Sequence, residues 1–166
     1  MARRWGSWPL LLAVVVAAVA GGWWLRGNVL GSYRVESGSM VPTLCAGDRV
    51  LVDMRVDGGD LEHDDLVVVT PPGDQRLVVK RVVGLPGDRL AIRDALLFVN
   101  GRRVPEPYVD HKSIDALFYG PKVVPDREIW VMGDNRAVSI DSRDYDGVPF
   151  SGVHGRVLMR WWNGCS

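Results

Sequence analysis

Leu77-Val78-Val79-Lys80-Arg81-Val82-Val83, stopped by Gly84-Leu85-Pro86-Gly87-Asp88, decides the fold class. Its residues are mostly β-branched, it is too short for an ordinary helix, and a Pro-Gly-Asp turn ends it. That is how a strand reads. Working outward, the same unit recurs at Val50–Val52, Leu66–Thr70, Leu96–Val99, Ile129–Met132 and Val157–Met159. Gly58-Gly59, Pro71-Pro72-Gly73, Asn100-Gly101 and Gly133-Asp134-Asn135 separate the runs. Asn100-Gly101, between Leu96–Val99 and Arg102–Val104, predicts a type I′ hairpin. Beyond the N-terminus no stretch keeps a 3.6-residue period for more than two turns. The expected fold is mainly β, an antiparallel sandwich or partly open barrel.

With 166 residues, 47% of them hydrophobic, the chain can bury one ordinary core and carry a short targeting segment besides. Lys and Arg total 20 against 20 Asp and Glu, without the basic excess of a nucleic-acid binder. The two cysteines, Cys45 and Cys165, are too few for a disulfide framework and too far apart for a metal knuckle.

Arg3 and Arg4 precede twenty-one uncharged residues, Trp5 to Leu25, which are followed by Arg26. As a helix this run spans about 31 Å, enough for a hydrocarbon core of about 30 Å. Trp5 and Trp8 at one end and Trp23 and Trp24 at the other suit an interfacial belt. The basic pair puts the N-terminus in the cytoplasm, although Arg26 weakens the asymmetry. A cleaved signal peptide, with Ala18-Val19-Ala20 as its cleavage site, is the competing reading; the flanking Trp23-Trp24 favours an uncleaved anchor. The division expected is residues 1–26 as a cytoplasmic basic tip and transmembrane anchor, and 27–166 as an extracytoplasmic β catalytic domain. All 20 acidic residues fall in the second part.

Three segments carry candidate chemistry. In Val35-Glu36-Ser37-Gly38-Ser39-Met40-Val41-Pro42-Thr43-Leu44, an entering strand would put Val35, Ser37 and Ser39 on one face. A serine there is either a turn residue or a nucleophile awaiting a base. His63, His111 and His154 sit among polar residues with no partner pattern and read as exposed loop histidines. Lys80 is either an edge-strand solubility device or a buried functional amine. As a base it would need a lowered pKa, since at about 10.4 less than ~0.1% is neutral at pH 7. Gly133 to Arg143 reads as a polar loop with Asp/Arg pairs. A calcium loop starting at Asp144 fails, because Gly155 occupies the position of the bidentate Glu.

Taken in order, Ser39-Met40-Val41-Pro42-Thr43-Leu44, Gly47-Asp48, Lys80 to Asp88 and Gly133 to Arg143 resemble the motif boxes of bacterial type I signal peptidases. The likeness runs from about Tyr33 to Arg143. It implies a signal-peptidase-like antiparallel β catalytic domain with one N-terminal transmembrane helix, and a membrane-anchored serine endopeptidase with a Ser/Lys dyad. Ser39 would be the nucleophile and Lys80 the general base. Ser37 would join the Ser39 N–H in the oxyanion hole, and Ser139 would orient the lysine. Asp141 and Arg143 would support Ser139, and Asp134 would pair with Arg81. Tyr33, Val35, Met40, Leu44, Val78 and Val79 match positions lining two shallow apolar subsites. These imply cleavage after Ala-x-Ala in exported preproteins.

The implied partners are signal peptides and the lipid bilayer, with no nucleic acid, no cofactor and no metal; a monomer in the cell membrane, single-pass, is expected. Trp161 and Trp162 could dip into the interface or join the core. The chain departs from the family at Ala137-Val138, where Asp-Asn is usual. Cys45 and Cys165 could form one disulfide outside the cytoplasm, but the expectation is that they stay unpaired. Rival readings are a peptidase dedicated to one pilin or conjugation subunit, a self-cleaving repressor, and an inactive module that only binds signal peptides.

Overall fold

The computed structural model describes residues 8–110 and 118–162 of the chain. A helix α1, Trp8–Asn28, leads into β1, Leu30–Arg34. Then come β2 (Arg49–Asp53), β3 (Leu66–Val69), β4 (Val78–Gly84), β5 (Arg89–Arg93), β6 (Leu96–Val99) and β7 (Arg102–Arg103). They are followed by β8 (Phe118–Val123), β9 (Glu128–Met132), a one-turn helix α2 (Ser142–Tyr145), β10 (Val148–Pro149) and β11 (Val153–Trp162). Two sheets result, ordered β1-β2-β11-β3-β4-β9-β10 and β7-β6-β5-β8, and every strand pair is antiparallel. The mainly β expectation therefore holds. Among the described residues no helix is long and apolar enough to cross a membrane.

The sheets bury strands by alternation. Along β9, Ile129 and Val131 face one apolar cluster with Leu61, Val67, Val69, Val82 and Val148. Trp130 and Met132 face another, with Val83, Leu90, Ile92, Leu97 and Val124. A strand buried on both sides loses its polar alternation, so Ile129–Met132 reads as a continuous apolar run. β4 does the same between β3 and β9, with Val82 in the first cluster and Val83 in the second. It is an interior strand, so the edge-strand reading of Lys80 falls.

The hairpin at Asn100-Gly101 forms as expected, with both residues at positive φ (53° and 78°) and Phe98 facing Arg103. β1, β5 and β8 were not visible in the sequence. β1 (Leu-Gly-Ser-Tyr-Arg) and β8 (Phe-Tyr-Gly-Pro-Lys-Val) lack a run of β-branched residues, and β5 holds only Leu90, Ala91 and Ile92 between arginines.

Two expectations need correction. Cys45 is disulfide-bonded rather than a free small hydrophobe. Its turn is held rigid by the Asp48 carboxylate, which accepts its N–H at 2.8 Å; a fixed, half-buried thiol is suited to pairing in an oxidising compartment. Cys165, the other cysteine of the sequence, lies outside the described residues. His154 is a half-buried residue of β11, bonded at 2.7 Å to Thr70 Oγ1, and not a loop histidine. His63 is exposed as expected and pairs with Asp88, while His111 lies outside the described residues. Trp161 is exposed on β11 and does not join the core; the side chain of Trp162 is not among those described.

Candidate active site

β1 ends at Arg34, so Ser37 and Ser39 do not sit on a strand. The chain from Val35 to Leu44 winds into turns instead, closed by Val41 N–H to Gly38 O (3.2 Å) and Leu44 N–H to Met40 O (2.8 Å). Pro42 supplies no N–H to a ladder, and Met40 and Leu44, both buried, anchor the turns in the core. The two serine hydroxyls still meet, at 3.1 Å. The bend brings them together, where a two-residue strand period had been expected to.

Lys80 lies opposite Val67 in β3 and is only 3% exposed. Its Nζ donates to Ser139 Oγ at 2.6 Å. Burial pushes the amine below its ordinary value, and the nearby Arg143 guanidinium adds to this, while Asp141, Asp144 and Asp134 pull the other way.

The third segment folds around Gly133. Asp141 Oδ2 accepts the Gly133 N–H at 3.0 Å, and Arg136 Nε donates to the Gly133 carbonyl at 2.9 Å. A side chain on Gly133 would collide with Ser139 Oγ and with the Ser39 carbonyl oxygen. Only glycine lets the Ser39 loop and the Ser139 hydroxyl close on the same point. Asn135 completes the strap, its N–H bonding Ser39 O (3.0 Å) and its Nδ2 bonding Gly38 O (3.2 Å). Asp141 also opens α2 as its N-cap, with Asp144 reaching back to its N–H in a capping box.

Buried charges frame this corner. Arg81 and Asp134 pair as expected, through bonds of 2.8 and 2.7 Å. Asp141 accepts Arg143 Nε at 2.9 Å and Nη2 at 3.0 Å. Burial alone would raise the Asp141 carboxyl, but Arg143, the Gly133 N–H and Ser139 hold it below the usual range. Burial would likewise lower Arg81, but its hydrogen bonds and charge pairing with Asp134 keep it raised. A third pair joins Arg136 to Glu106. Glu106, and Tyr108 whose ring lies 3.8 Å from Arg81 Cζ, were not singled out in the sequence. Glu106 sits in Pro105-Glu106-Pro107, an unremarkable polar loop until its burial is known.

Of the six subsite positions, Val35, Met40 and Leu44 share an apolar cluster with Val50, Val52 and Val68, and Tyr33 and Val79 pack against it. Val78 does not join them; it faces the cluster of Leu61, Val67 and Val82. Ala137 and Val138, where the chain departs from the family pattern, are both exposed, so the missing polar groups leave the buried network untouched. A cavity of about 130 Å³ lined by His63, Asp64, Val82, Val83, Val99 and Tyr108, among others, includes neither Ser39 nor Lys80. Among the described residues no cluster of His, Cys, Asp and Glu could hold a metal.

The chain is similar to known proteins. The family model described as signal peptidase, peptidase S26, matches residues 5–162. Signal peptidase I of Bacillus caldolyticus is 36% identical over 96% of this chain and 92% of its own length. Signal peptidase I S of Bacillus subtilis strain 168 is 38% identical over 81% of this chain and 75% of its own. The crystal structure of a signal peptidase I from Enterococcus faecalis V583 superposes with a TM-score of 0.51 at 28% identity, covering 60% of this chain and 97% of that one. A buried lysine amine on a serine hydroxyl, beside a second serine held by the same loop, is thus found in a chain that belongs to the signal peptidase family, peptidase S26, in its bacterial type I branch, and is a peptide-bond hydrolase.

Proposed function

We propose that the chain is a membrane-bound serine endopeptidase that removes N-terminal signal peptides from exported preproteins after a small-x-small (Ala-x-Ala) site, using Ser39 and Lys80 as a dyad. The observation that carries this reading is the buried Lys80 amine held by Ser139, on the loop that also grips the Ser39 and Gly38 carbonyls. A lysine is a base only when neutral, and desolvation favours the neutral form.

In the reaction, the Ser39 hydroxyl turns from Ser37 toward Nζ and loses its proton as it attacks the carbonyl before the scissile bond. The oxyanion takes hydrogen bonds from the Ser39 N–H and the Ser37 hydroxyl, donors of a kind each worth about 2.7–4 kcal/mol. Lys80 then protonates the leaving amine, and water resolves the acyl-enzyme by the same route. Ser139 holds Nζ in place throughout, and Asp141 with Arg143 holds Ser139. The apolar floor made by Val35, Met40, Leu44, Tyr33 and Val79 supports small substrate side chains.

The position of the exposed apolar residues supports anchoring. α1 runs into β1, β1 pairs with β2, and β2 pairs with β11, whose Leu158, Met159 and Trp161 are exposed. The described apolar side chains of α1, from Leu10 to Val19, are exposed as well, a surface suited to lipid. The disulfide at Cys45 fits a domain outside the cytoplasm.

The test is cleavage of a purified preprotein with an Ala-x-Ala site in detergent, by wild type, Ser39→Ala and Lys80→Ala. Wild type should cut after the second Ala, and both variants should lose at least about 10³-fold while staying folded. Failure of wild type on several preproteins would end the general-processing reading in favour of a dedicated substrate or of binding alone.

A further inference from the structure

We propose that Glu106 is a positioning residue for the Ser39 and Lys80 chemistry, acting through Arg136 on the Gly133 peptide around which Ser139 and Ser39 are packed. The inference rests on the dyad reading above and deepens it.

Glu106 follows the short edge strand β7 of the smaller sheet, far in sequence from each motif segment. Its side chain is fully buried, as is nearly all of Arg136. The carboxylate takes both terminal nitrogens of Arg136, Nη1 to Oε2 at 3.1 Å and Nη2 to Oε1. That fork leaves Arg136 Nε a single direction, and it donates to the Gly133 carbonyl at 2.9 Å. The Gly133 N–H is fixed on the other side by Asp141. The two peptide units that flank the Gly133 Cα are therefore gripped, one by each buried ion pair. Against that Cα stand the Ser139 hydroxyl that receives Lys80 Nζ and the carbonyl of Ser39.

The same loop touches the other half of the site. Two residues on, the Tyr108 ring covers Arg81, the neighbour of Lys80, while its hydroxyl bonds Asp64 Oδ1 at 3.1 Å. Arg81 in turn holds Asp134, the residue after Gly133. A lone fold-stabilising pair would not need both ends of one loop aimed at the two arms of the Lys80–Ser139 contact. A buried ion pair adds little net stability over an apolar pair of the same size, so its retention fits a directional role.

The experiment uses the full chain in detergent. Glu106→Gln should lower kcat about 10- to 100-fold with KM within about twofold, the pattern of a misplaced catalytic group. Its activity should also rise at higher pH than that of wild type, because a loosened Gly133 admits water to Lys80. The charged groups facing that amine, Asp141, Arg143, Asp144 and Asp134, are left unchanged. Glu106→Gln combined with Arg136→Met should be no slower than Arg136→Met alone, if Glu106 acts through Arg136. The pair of variants also covers the case in which Glu106→Gln by itself fails to fold.

A second readout needs no substrate: the pH dependence of Lys80 acylation by acetic anhydride, followed by peptide mapping. The Glu106→Gln curve should move to higher pH. If wild type cuts no preprotein while this curve still moves, the general-processing reading falls and the positioning of the Lys80 amine by Glu106 stands. If wild type cuts and Glu106→Gln keeps its kcat, pH profile and labelling curve, the positioning role is overturned. Multiplicative losses in the double variant would overturn it as well.

Discussion

Three of the four Asp-x-Arg triplets in the sequence take one local form, Asp53-Met54-Arg55, Asp74-Gln75-Arg76 and Asp141-Ser142-Arg143; in the fourth, Asp134-Asn135-Arg136, each side chain pairs elsewhere, with Arg81 and Glu106. In each of the three, the aspartate accepts the arginine's own N–H, its Nε and its Nη2, all between 2.8 and 3.2 Å. The arginines are 64%, 85% and 11% exposed. The Asp74 pair sits in water, and Asp53 is buried but holds an arginine that is open to solvent; a chelate with an exposed guanidinium contributes little. The third is sealed, and its carboxylate also fixes the Gly133 N–H and caps α2. Identical local geometry thus has different consequences, and what separates the copies is the β4–β9 core beneath the third.

The sharpest way to break this comparison is Asp141→Asn. It leaves Arg143 charged and buried with no carboxylate, a loss of the kind that costs about 3–5 kcal/mol. Denaturant unfolding should show that loss, and preprotein cleavage should fall at least about 100-fold because Gly133 and Ser139 lose their support. The sign with pH is fixed. The Asp141 carboxyl is held below its unfolded value, so its contribution is present above about pH 3.9 and disappears as pH falls through the lowered native value. An acid limb of the stability curve that Asp141→Asn leaves in place would show that the sealed copy is no different from the exposed ones.

How much of this was legible beforehand follows the same division. The motif segments carried Ser39, Lys80, Ser139, Asp141 and Arg143 because their spacing is local, and the Asn100-Gly101 turn declared itself through residues that tolerate positive φ. Burial is not local. Nothing in Pro105-Glu106-Pro107 says that its carboxylate will meet Arg136 across 30 positions, and nothing in Asp74-Gln75-Arg76 says that it will stay wet. Strand β11, which joins β2 to β3, was visible only at its apolar centre, Val157–Met159, because arginines and glycine interrupt the rest. Val78 was expected beside Val79, although neighbours on a strand face opposite ways.

Lys80 sharpens the comparison from inside the sealed corner. Its amine is lowered by burial, so cleavage should rise with pH through that lowered value and level off before the ordinary lysine range. For stability, the unfolded chain binds the proton more tightly, so stability should increase with pH between the lowered native value and about 10.4. Lys80→Met removes the buried amine and its desolvation cost, and should abolish cleavage and raise the melting temperature by a few degrees at neutral pH. A melting temperature lowered by that substitution would mean that Lys80 holds the fold together, and that its burial carries no functional strain.

The smallest effects belong to the exposed copies. Arg55 and Arg76 hold the carboxyls of Asp53 and Asp74 at about 2, each first through the side-chain hydrogen bond. A carboxyl so displaced invites the inference of strong stabilisation, but in both pairs the guanidinium is exposed, and ions within about 10 Å at 0.1 M screen it. Asp74→Asn should therefore leave the denaturant midpoint and kcat at their wild-type values. Asp53→Asn has one further partner within electrostatic range, Arg156, and should show a small change that vanishes in about 1 M salt. Salt titration of the two variants beside Asp141→Asn separates the mechanisms directly. Screening should erase any difference between wild type and the first two, and leave the third unchanged, since no ion reaches a carboxylate sealed beneath Gly133.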